Sequence, residues 1–316
     1  MQPVTIPLLY CPFSPAIHPQ VKEAANHTDA WVALFNLHSG AAYRQYQEDN
    51  FAWLTARFYP KAELEQLKIA NDFIVLLFAL NDLMKDQSMQ MQLPNFIEHF
   101  IAVTRDPAVP LSKDTMPILA AWADLWPRLE QISSPGWTAR FTLRLRALLQ
   151  AVTHEPMSEA TQLYTVAQYM EEAPYLAGAY ISTGIIPIIE GIHLPEEALQ
   201  HPVLTELEQL SQKLLCWSND LFSFSKEQAE GEDYNLVSLL QHERRLTLDE
   251  ALLCTAAIHN TDMRRFVTLS TQLPGFDETT DKAVAKYVEA LRRHIRGHVD
   301  WSEKDSRRYS FIYGHS

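Results

Sequence analysis

The most informative part of this chain is residues 217–227, which read Trp217-Ser218-Asn219-Asp220-Leu221-Phe222-Ser223-Phe224-Ser225-Lys226-Glu227. Within this segment, Asn219, Ser223 and Glu227 are spaced at i, i+4 and i+8. On an α-helix each step of four residues turns by only about 40°, so the three side chains share one face over roughly 12 Å. Amide, hydroxyl and carboxylate oxygens suit a hard cation, most simply Mg²⁺. Lys226 adds a positive point charge that suits phosphate.

A solvated helix face is the alternative interpretation, because polar residues at i and i+4 are common on exposed helices. The neighbouring residues argue against it, since they are largely apolar: Leu214, Leu215, Trp217, Leu221, Phe222 and Phe224. We expect the polar residues of such a segment to face a ligand, and we therefore favour a metal site.

The pattern Asn219-Asp220-x-x-Ser223-x-x-Lys226-Glu227 resembles the NSE metal-binding motif of class I terpene synthases. The resemblance implies that Asn219, Ser223 and Glu227 hold one Mg²⁺ and that Lys226 contacts the diphosphate of the substrate. It also implies a bacterial enzyme with an all-α fold, a single-domain α-helical bundle of the class I terpenoid synthase type.

Composition narrows the class of protein. The 316 residues are 47% hydrophobic and include only 9 glycines, which favours one large and mostly helical core. The net charge of −13 makes nucleic acid an unsuitable partner. Cys11, Cys216 and Cys254 are odd in number and widely spaced, so we expect no disulfide framework, no zinc site and a cytoplasmic location.

We expect neither a signal peptide nor a membrane span. The first residues lack a basic start followed by an apolar stretch. The longest apolar run, residues 73–80, falls far short of the roughly 20 residues that a membrane helix needs.

Helical periodicity predicts roughly ten to twelve helices in one domain over residues 19–300. Residues 1–18, which are rich in proline, are expected to form an extended arm over the helices. The predicted helices cover about 41–58, 61–90, 117–131, 136–153, 158–181, 204–228, 247–270 and 280–300, with breaks near Ser39-Gly40 and within 179–192. Thr247 and Glu250 form a capping box at the start of the helix over 247–270.

A second polar cluster follows the apolar run and reads Asn81-Asp82-Leu83-Met84-Lys85-Asp86. A helix that simply emerges into solvent is one interpretation. The cluster also resembles the aspartate-rich motif DDxx(x)D/E of the same family, which implies that Asn81, Asp82 and Asp86 bind two further Mg²⁺ ions, three in all, and that Asp82 and Asp86 act in catalysis. Asn81 replaces the first acid of that motif, so we expect metal binding to be weakened.

Near the C-terminus, Arg308 and Tyr309 resemble the terminal Arg-Tyr pair of the family. The resemblance implies that both bind the diphosphate, act in catalysis and close the site together with the tail, residues 301–316. The planar fork of Arg matches phosphate oxygens. A basic solvated tail is the alternative.

The family also carries an Arg that senses the diphosphate upstream of the NSE motif, near a helix break. Residues 169–184 contain no Arg, and Arg144 and Arg146 lie too far upstream to be assigned. We therefore assign no sensor.

Aromatic rings stabilise carbocations through cation–π attraction. We expect Phe78, Trp217, Trp301 and Tyr180 to line a cavity, although aromatic residues on amphipathic helices are more often plain core.

Other site motifs are absent from the sequence. It contains no glycine-rich phosphate loop and no HExxH. His294 and His298 are spaced at i and i+4, and we interpret them as exposed side chains among arginines rather than as metal ligands.

These features predict a Mg²⁺-dependent terpene synthase, a lyase that ionises and cyclises a linear prenyl diphosphate (farnesyl or geranylgeranyl diphosphate) and releases pyrophosphate. Two alternatives stay open. One is a catalytically weak helical protein that binds prenyl diphosphate, which Asn81 and the missing sensor Arg favour. The other is a prenyl-elongating synthase, which needs two acidic clusters. The prenyl diphosphate is a small molecule, no nucleic acid or membrane partner is expected, and a homodimer is left open.

Overall fold

The computed structural model describes residues 4–85, 92–109, 116–153, 164–176 and 178–314. Most of these residues are helical, which confirms the predicted all-α fold. Two short strands, Val4–Ile6 (β1) and Phe311–Tyr313 (β2), pair in parallel with Val4 opposite Phe311.

The helices follow one another along the chain with these bounds: Val21–Phe35 (α1), Gly40–Asp49 (α2), Phe51–Phe58 (α3), Leu64–Lys85 (α4), Leu93–Arg105 (α5), Pro117–Gln131 (α6), Pro135–Thr153 (α7), Val166–Leu176 (α8), Ala179–Gly184 (α9), Ile186–Ile189 (α10), Glu196–Leu199 (α11), Pro202–Glu230 (α12), Leu236–Arg244 (α13), Leu248–Leu269 (α14) and Glu278–Asp300 (α15). A single π-helical turn, Trp301–Asp305, continues α15.

Helix α12 lies at the centre of the domain and contacts α8, α9, α13, α14 and α15. Pro202 stands at its first position, where the missing N–H costs nothing, and Gly231 ends it in the left-handed region at φ +76°. Leu214, Trp217 and Leu221 are fully buried. On the polar face, Ser223 is buried and Asn219 and Glu227 are half-buried, so this face is only partly open to solvent.

Several predicted boundaries are close to those observed. Helices α6, α7, α12, α14 and α15 begin and end within about three residues of the predicted limits, as expected for boundary assignments. The capping box of α14 is present, with the Glu250 amide donating to Thr247 Oγ1 and the Thr247 amide to Glu250 Oε2.

One break was not predicted. The helix expected over 41–58 is divided by Asn50, whose φ of +53° is left-handed. Asn tolerates this conformation better than most side chains do. The break turns α3 relative to α2 and, as shown below, receives the C-terminal tail.

The predicted break before α12 is present and begins at Gly178. Its φ of +73° suits glycine, and an added Cβ there would lie 3.3 Å from Leu77 Cδ2. The described part of the helix predicted over 158–181 is α8, which ends at Leu176, and the short helices α9 and α10 follow.

The N-terminal arm crosses the helices without forming one, since residues 7–18 adopt neither helix nor strand. Phe13 meets Phe266 edge-on, with ring centroids 5.8 Å apart. His18 is buried, and its Nε2 lies 3.0 Å from the Ala62 carbonyl.

The prediction that His294 and His298 are exposed is wrong. His294 is fully buried and stacks on Phe58 with ring centroids 4.1 Å apart, and His298 is 7% exposed. The arginines beside them in sequence suggested exposure, but the i, i+4 spacing puts both imidazoles on the inner face of α15.

Among the described residues, no helix is both long and apolar enough to cross a membrane.

Candidate active site

A cavity opens between α3, α4, α8, α9, α12, α15 and the C-terminal tail. Its apolar wall is built mainly from side chains of α3, α4, α8 and α12: Leu54, Phe58, Ile74, Leu77, Phe78, Met84, Leu176, Leu215 and Cys216. Its polar residues are Asn81, Tyr169, Ser182, Asn219, Asp220, Ser223, Lys226, Glu227, Tyr234, His298, Arg308 and Tyr309. An apolar cavity with polar groups concentrated on a few elements is the usual form of a small-molecule site.

All three residues of the i, i+4, i+8 pattern on α12 line this cavity. Asn219 Nδ2 donates to Tyr309 Oη at 2.8 Å, which turns the amide oxygen away from the tyrosine. Ser223 Oγ is buried and has no hydrogen-bond partner. Glu227 Oε2 accepts from Asn235 Nδ2 at 2.8 Å.

The unpartnered hydroxyl of Ser223 is the observation that shows whether these residues suit a cation. An unsatisfied buried hydroxyl destabilises a fold by roughly 1–3 kcal/mol, so native structures seldom keep one without a reason. A hard cation ligated by amide, hydroxyl and carboxylate oxygens would satisfy it. Asn219, Ser223 and Glu227 supply such a mixed set of oxygen donors. The described residues hold no group of three or more His, Cys, Asp or Glu side chains that could hold a metal.

The motif on α12 also contains an acid, Asp220, to which the sequence prediction gave no role. The Tyr169 hydroxyl lies 2.8 and 2.9 Å from the two carboxylate oxygens of Asp220 and donates its one proton to them, and the Leu236 amide donates to Asp220 Oδ2 at 3.3 Å. Burial raises the pKa of Asp220 well above its ordinary value, and the charge of Glu227 adds to that rise. The signal was available, because Asp220 is an acid within an apolar helical segment.

Asn235 was also missed. It caps α13 through its Oδ1, which accepts from the Val237 amide at 2.8 Å, while its Nδ2 donates to Glu227 Oε2 and to the Asp220 carbonyl. No local sequence signal marks it, because the loop after α12 must fold back before Asn235 reaches Glu227.

Arg308 belongs to the C-terminal tail, and its guanidinium lies between two acids. Nη1 donates to Asp49 Oδ2 at 2.7 Å and Nη2 to Asp82 Oδ1 at 3.4 Å. Its carbon Cζ lies 5.4 Å from the centroid of the Phe78 ring. Burial alone would lower the pKa of Arg308, yet Tyr309, Asp49 and Asp82 hold it above its ordinary value, so the residue stays charged.

Tyr309 is half-buried beside Arg308. Burial raises its pKa to about 12, so the phenol is neutral. Because Tyr309 Oη accepts from Asn219, its own proton is directed elsewhere and can be donated to a ligand oxygen.

The aspartate-rich cluster is only partly described. Asn81 lines the cavity, whereas the Asp82 side chain is 52% exposed and reaches Arg308 instead. Neighbouring residues on a helix point about 100° apart, which separates the two. Asp86 lies outside the described residues.

Lys226 lines the cavity, and its Nζ pairs with Glu230 Oε2 at 2.6 Å, one turn further along α12. This partner is half-exposed, with a 43% exposed side chain, so the ammonium group has a weak partner that an anion can replace.

One of the four aromatic residues predicted to line the cavity is found there, and three are not. Phe78 lines the cavity, and Trp217, Trp301 and Tyr180 are not among the described residues that do. Trp217 Nε1 donates to Asp262 at 2.9 Å, on the side of α12 away from the metal face. Trp301 Nε1 donates to the Asp49 carbonyl at 2.9 Å. Trp217 therefore belongs to the core. Trp301 attaches the C-terminal tail to the end of α2.

Tyr180 is covered by Arg144, whose Cζ lies 4.5 Å from the ring centroid. The same guanidinium pairs with Glu208 at 2.7 Å. Among the described residues, Arg308 is the arginine that lines the cavity, and Arg144 is not. Arg144 therefore does not replace the sensor Arg that residues 169–184 lack.

The helical fold, the oxygen face on α12 and the Arg-Tyr pair over one apolar cavity define a class I terpene synthase. A family model described as "Terpene synthase family 2, C-terminal metal binding" matches residues 72–265. The chain belongs to this family. It is an enzyme, a lyase that depends on a divalent metal and acts on a prenyl diphosphate.

Individual relatives agree with this assignment. The chain is 32% identical to a (+)-T-muurolol synthase from Roseiflexus castenholzii over 93% of its length and 91% of the relative. It is 26% identical to a germacrene A synthase from Nostoc punctiforme over 97% and 96%. Among solved structures, a variant of cucumene synthase matches with a TM-score of 0.83 and 25% identity over 94% of this chain and 99% of that one.

Proposed function

We propose that this terpene synthase cyclises farnesyl diphosphate with three Mg²⁺ ions and releases pyrophosphate. The support for this substrate is the relative at 32% identity, whose name describes a synthase that cyclises (2E,6E)-farnesyl diphosphate. Geranylgeranyl diphosphate is the competing substrate that an experiment must test.

One ion is assigned to Asn219, Ser223 and Glu227. The observation that carries this assignment is the buried Ser223 hydroxyl without a hydrogen-bond partner, on the cavity wall between the other two donors. Asn235 donates to Glu227 Oε2 and so orients that carboxylate toward the site.

The other two ions are assigned to Asn81, Asp82 and Asp86. Asn81 supplies a neutral oxygen where the family motif has an acid, so these ions are held by fewer negative charges. Asp82 must leave Arg308 to serve as a ligand, which the 3.4 Å contact and the half-exposed carboxylate allow.

Lys226, Arg308 and Tyr309 are assigned to the diphosphate. Arg308 can exchange the exposed Asp82 for phosphate oxygens while it keeps the buried Asp49, so the tail stays in place as the substrate binds. Tyr309 donates its phenolic proton to a phosphate oxygen.

Bound metal ions act as Lewis acids that stabilise the leaving diphosphate. The residues of the chain then control the cation. Phe78 presents an aromatic face to it, and the apolar wall excludes water while it folds the prenyl chain for ring closure. The cytoplasmic location stays a prediction, and the homodimer stays open.

The test is to incubate the purified protein with Mg²⁺ and, separately, geranyl, farnesyl and geranylgeranyl diphosphate. We would follow pyrophosphate release and identify the hydrocarbons by mass spectrometry, and a parallel reaction would include isopentenyl diphosphate. A cyclic C15 product from farnesyl diphosphate alone supports the proposal. A C20 product corrects the substrate, a requirement for isopentenyl diphosphate identifies an elongating enzyme, and no pyrophosphate from any substrate contradicts the proposal.

A further inference from the structure

The imidazole of His298 lies on the cavity wall, on α15, and its Nδ1 lies 3.0 Å from Ser218 Oγ of α12. It is 7% exposed. Its ring centroid lies 6.0 Å from that of Trp301 and 6.3 Å from that of Phe222. A basic nitrogen heterocycle is an unusual component of a wall that must tolerate a carbocation, because it can accept a proton.

We assign the tautomer of His298 from the contacts of Ser218. Ser218 Oγ lies 2.8 Å from the Leu214 carbonyl and 3.1 Å from the Leu215 carbonyl, so its one proton goes to the backbone of its own helix. His298 Nδ1 lies 3.0 Å from the same Oγ, and because the Leu214 carbonyl is the nearest of the three acceptors, we assign the serine proton to it and Nδ1–H as the donor to Oγ. The proton of the neutral ring is on Nδ1, and the lone pair is on Nε2.

The ring is neutral at ordinary pH. Burial lowers the pKa of His298 to about 4, and the neighbouring His259 contributes in the same direction. Because the imidazole is neutral, it does not oppose formation of the cationic intermediate by charge repulsion. Such weak basicity is still sufficient, because a tertiary carbocation is a far stronger acid than an imidazolium.

We propose that His298 is the proton acceptor that ends the cyclisation, an inference that rests on the proposed function. A C–H bond next to the cationic carbon breaks, and its electron pair becomes a C=C bond. The proton goes to Nε2 and forms an imidazolium, which passes it to the released pyrophosphate or to water as the product leaves.

The other polar groups of the wall are less suited to this step. Both carboxylate oxygens of Asp220 lie within 2.9 Å of the Tyr169 hydroxyl, which donates to them, and Glu227 is assigned to the metal. His259 and His294 are buried, but neither is among the described residues that line the cavity.

The experiment compares the wild type with His298→Phe, which keeps an aromatic ring of similar size and leaves the Ser218 proton on the Leu214 carbonyl. His298→Gln is a second variant in case the first does not fold, and His259→Gln is a buried control off the cavity. Circular dichroism checks folding, pyrophosphate release reports ionisation, and mass spectrometry of the products reports termination.

We expect both His298 variants to release pyrophosphate, because ionisation precedes proton loss. The main product should retain its ring skeleton, but its double bond should move or a hydroxyl should take its place, and the original alkene should fall by about tenfold or more, as for loss of a general base. His259→Gln should keep the original product.

Two outcomes overturn the inference. If the original alkene remains the main product, another group takes the proton. If the ring skeleton changes, His298 acts through cavity shape. A wild type that releases no pyrophosphate would instead count against the proposed function.

Discussion

Arg308 Nη1 donates to Asp49 Oδ2 at 2.7 Å and so joins the C-terminal tail to the break between α2 and α3. Trp301 Nε1 donates to the Asp49 carbonyl at 2.9 Å, and Asn50 Nδ2 donates to the Asp305 carbonyl at 2.7 Å. The left-handed Asn50 therefore creates a seat that holds both the tail and the arginine assigned to the diphosphate.

Asp49→Asn should impair both stability and substrate binding. The two side chains are only 3% and 9% exposed, so loss of the carboxylate leaves a buried guanidinium with less compensation. We expect the free energy of unfolding to fall by about 3 kcal/mol and the KM for the prenyl diphosphate to rise by about tenfold. Urea unfolding and steady-state kinetics would measure these effects.

The control is Glu278→Gln, which breaks an exposed ion pair with Lys282 and should change neither quantity measurably. Unchanged stability and KM in Asp49→Asn would show that the pair does not hold Arg308.

Ser223→Ala should separate stability from activity. The hydroxyl is buried and unpartnered, so its removal should leave the metal-free protein as stable as before or more stable by about 1 kcal/mol. Binding of Mg²⁺ with pyrophosphate and the turnover number should both fall. Ser225→Ala is a matched control, because Ser225 Oγ is also buried and unpartnered but is not among the described cavity-lining residues. Thermal unfolding, with and without Mg²⁺ and pyrophosphate, checks both variants. Equal ligand-induced stabilisation in the two would contradict the role of Ser223.

Helix periodicity was sufficient to predict that Asn219, Ser223 and Glu227 share one side of α12, since i, i+4 and i+8 lie on one side whatever surrounds the helix. The same geometry could have corrected the prediction for Trp217, because a residue two positions before Asn219 points about 200° away from it.

Other features depend on packing between distant segments and could not be predicted from local sequence. Tyr169 meets Asp220 across 51 positions of the chain, and Asn235 reaches Glu227 only after the loop folds back. Asn50 gave no sign that it would adopt a left-handed conformation. The histidines of α15 were misassigned because sequence neighbours on a helix face different directions.

Three buried histidines should make the protein sensitive to acid. Burial lowers the pKa of His259 and of His298 to about 4 and that of His294 to about 3. An unfolded His has a pKa of about 6.5, so below that pH the unfolded chain binds more protons than the folded one. Their contribution to stability is therefore fully present above about pH 6.5 and is lost as the pH falls toward 4 and 3, by up to about 1.4 kcal/mol per pH unit for each His.

Urea unfolding at pH 7.5, 6 and 5 would measure this loss of stability. His294→Phe, which keeps the ring contact with Phe58, should lose less stability than the wild type over this range, and parallel curves would contradict the prediction.

Asn235→Asp should weaken metal binding without removing the cap of α13. The new carboxylate still accepts from the Val237 amide, but it replaces the Nδ2 donor with an oxygen that repels Glu227 Oε2. We expect the affinity for Mg²⁺ in the presence of pyrophosphate to fall by about 10–100-fold, as for other residues that orient a metal ligand. Titration calorimetry measures this affinity independently of turnover. Asn260→Asp is the matched control, because Asn260 Oδ1 accepts from the Tyr10 amide and Asn260 is not among the described cavity-lining residues. If folded Asn235→Asp binds Mg²⁺ as tightly as this control does, Glu227 either needs no support from Asn235 or is not the ligand, and combining Asn235→Asp with Glu227→Gln would distinguish these two explanations.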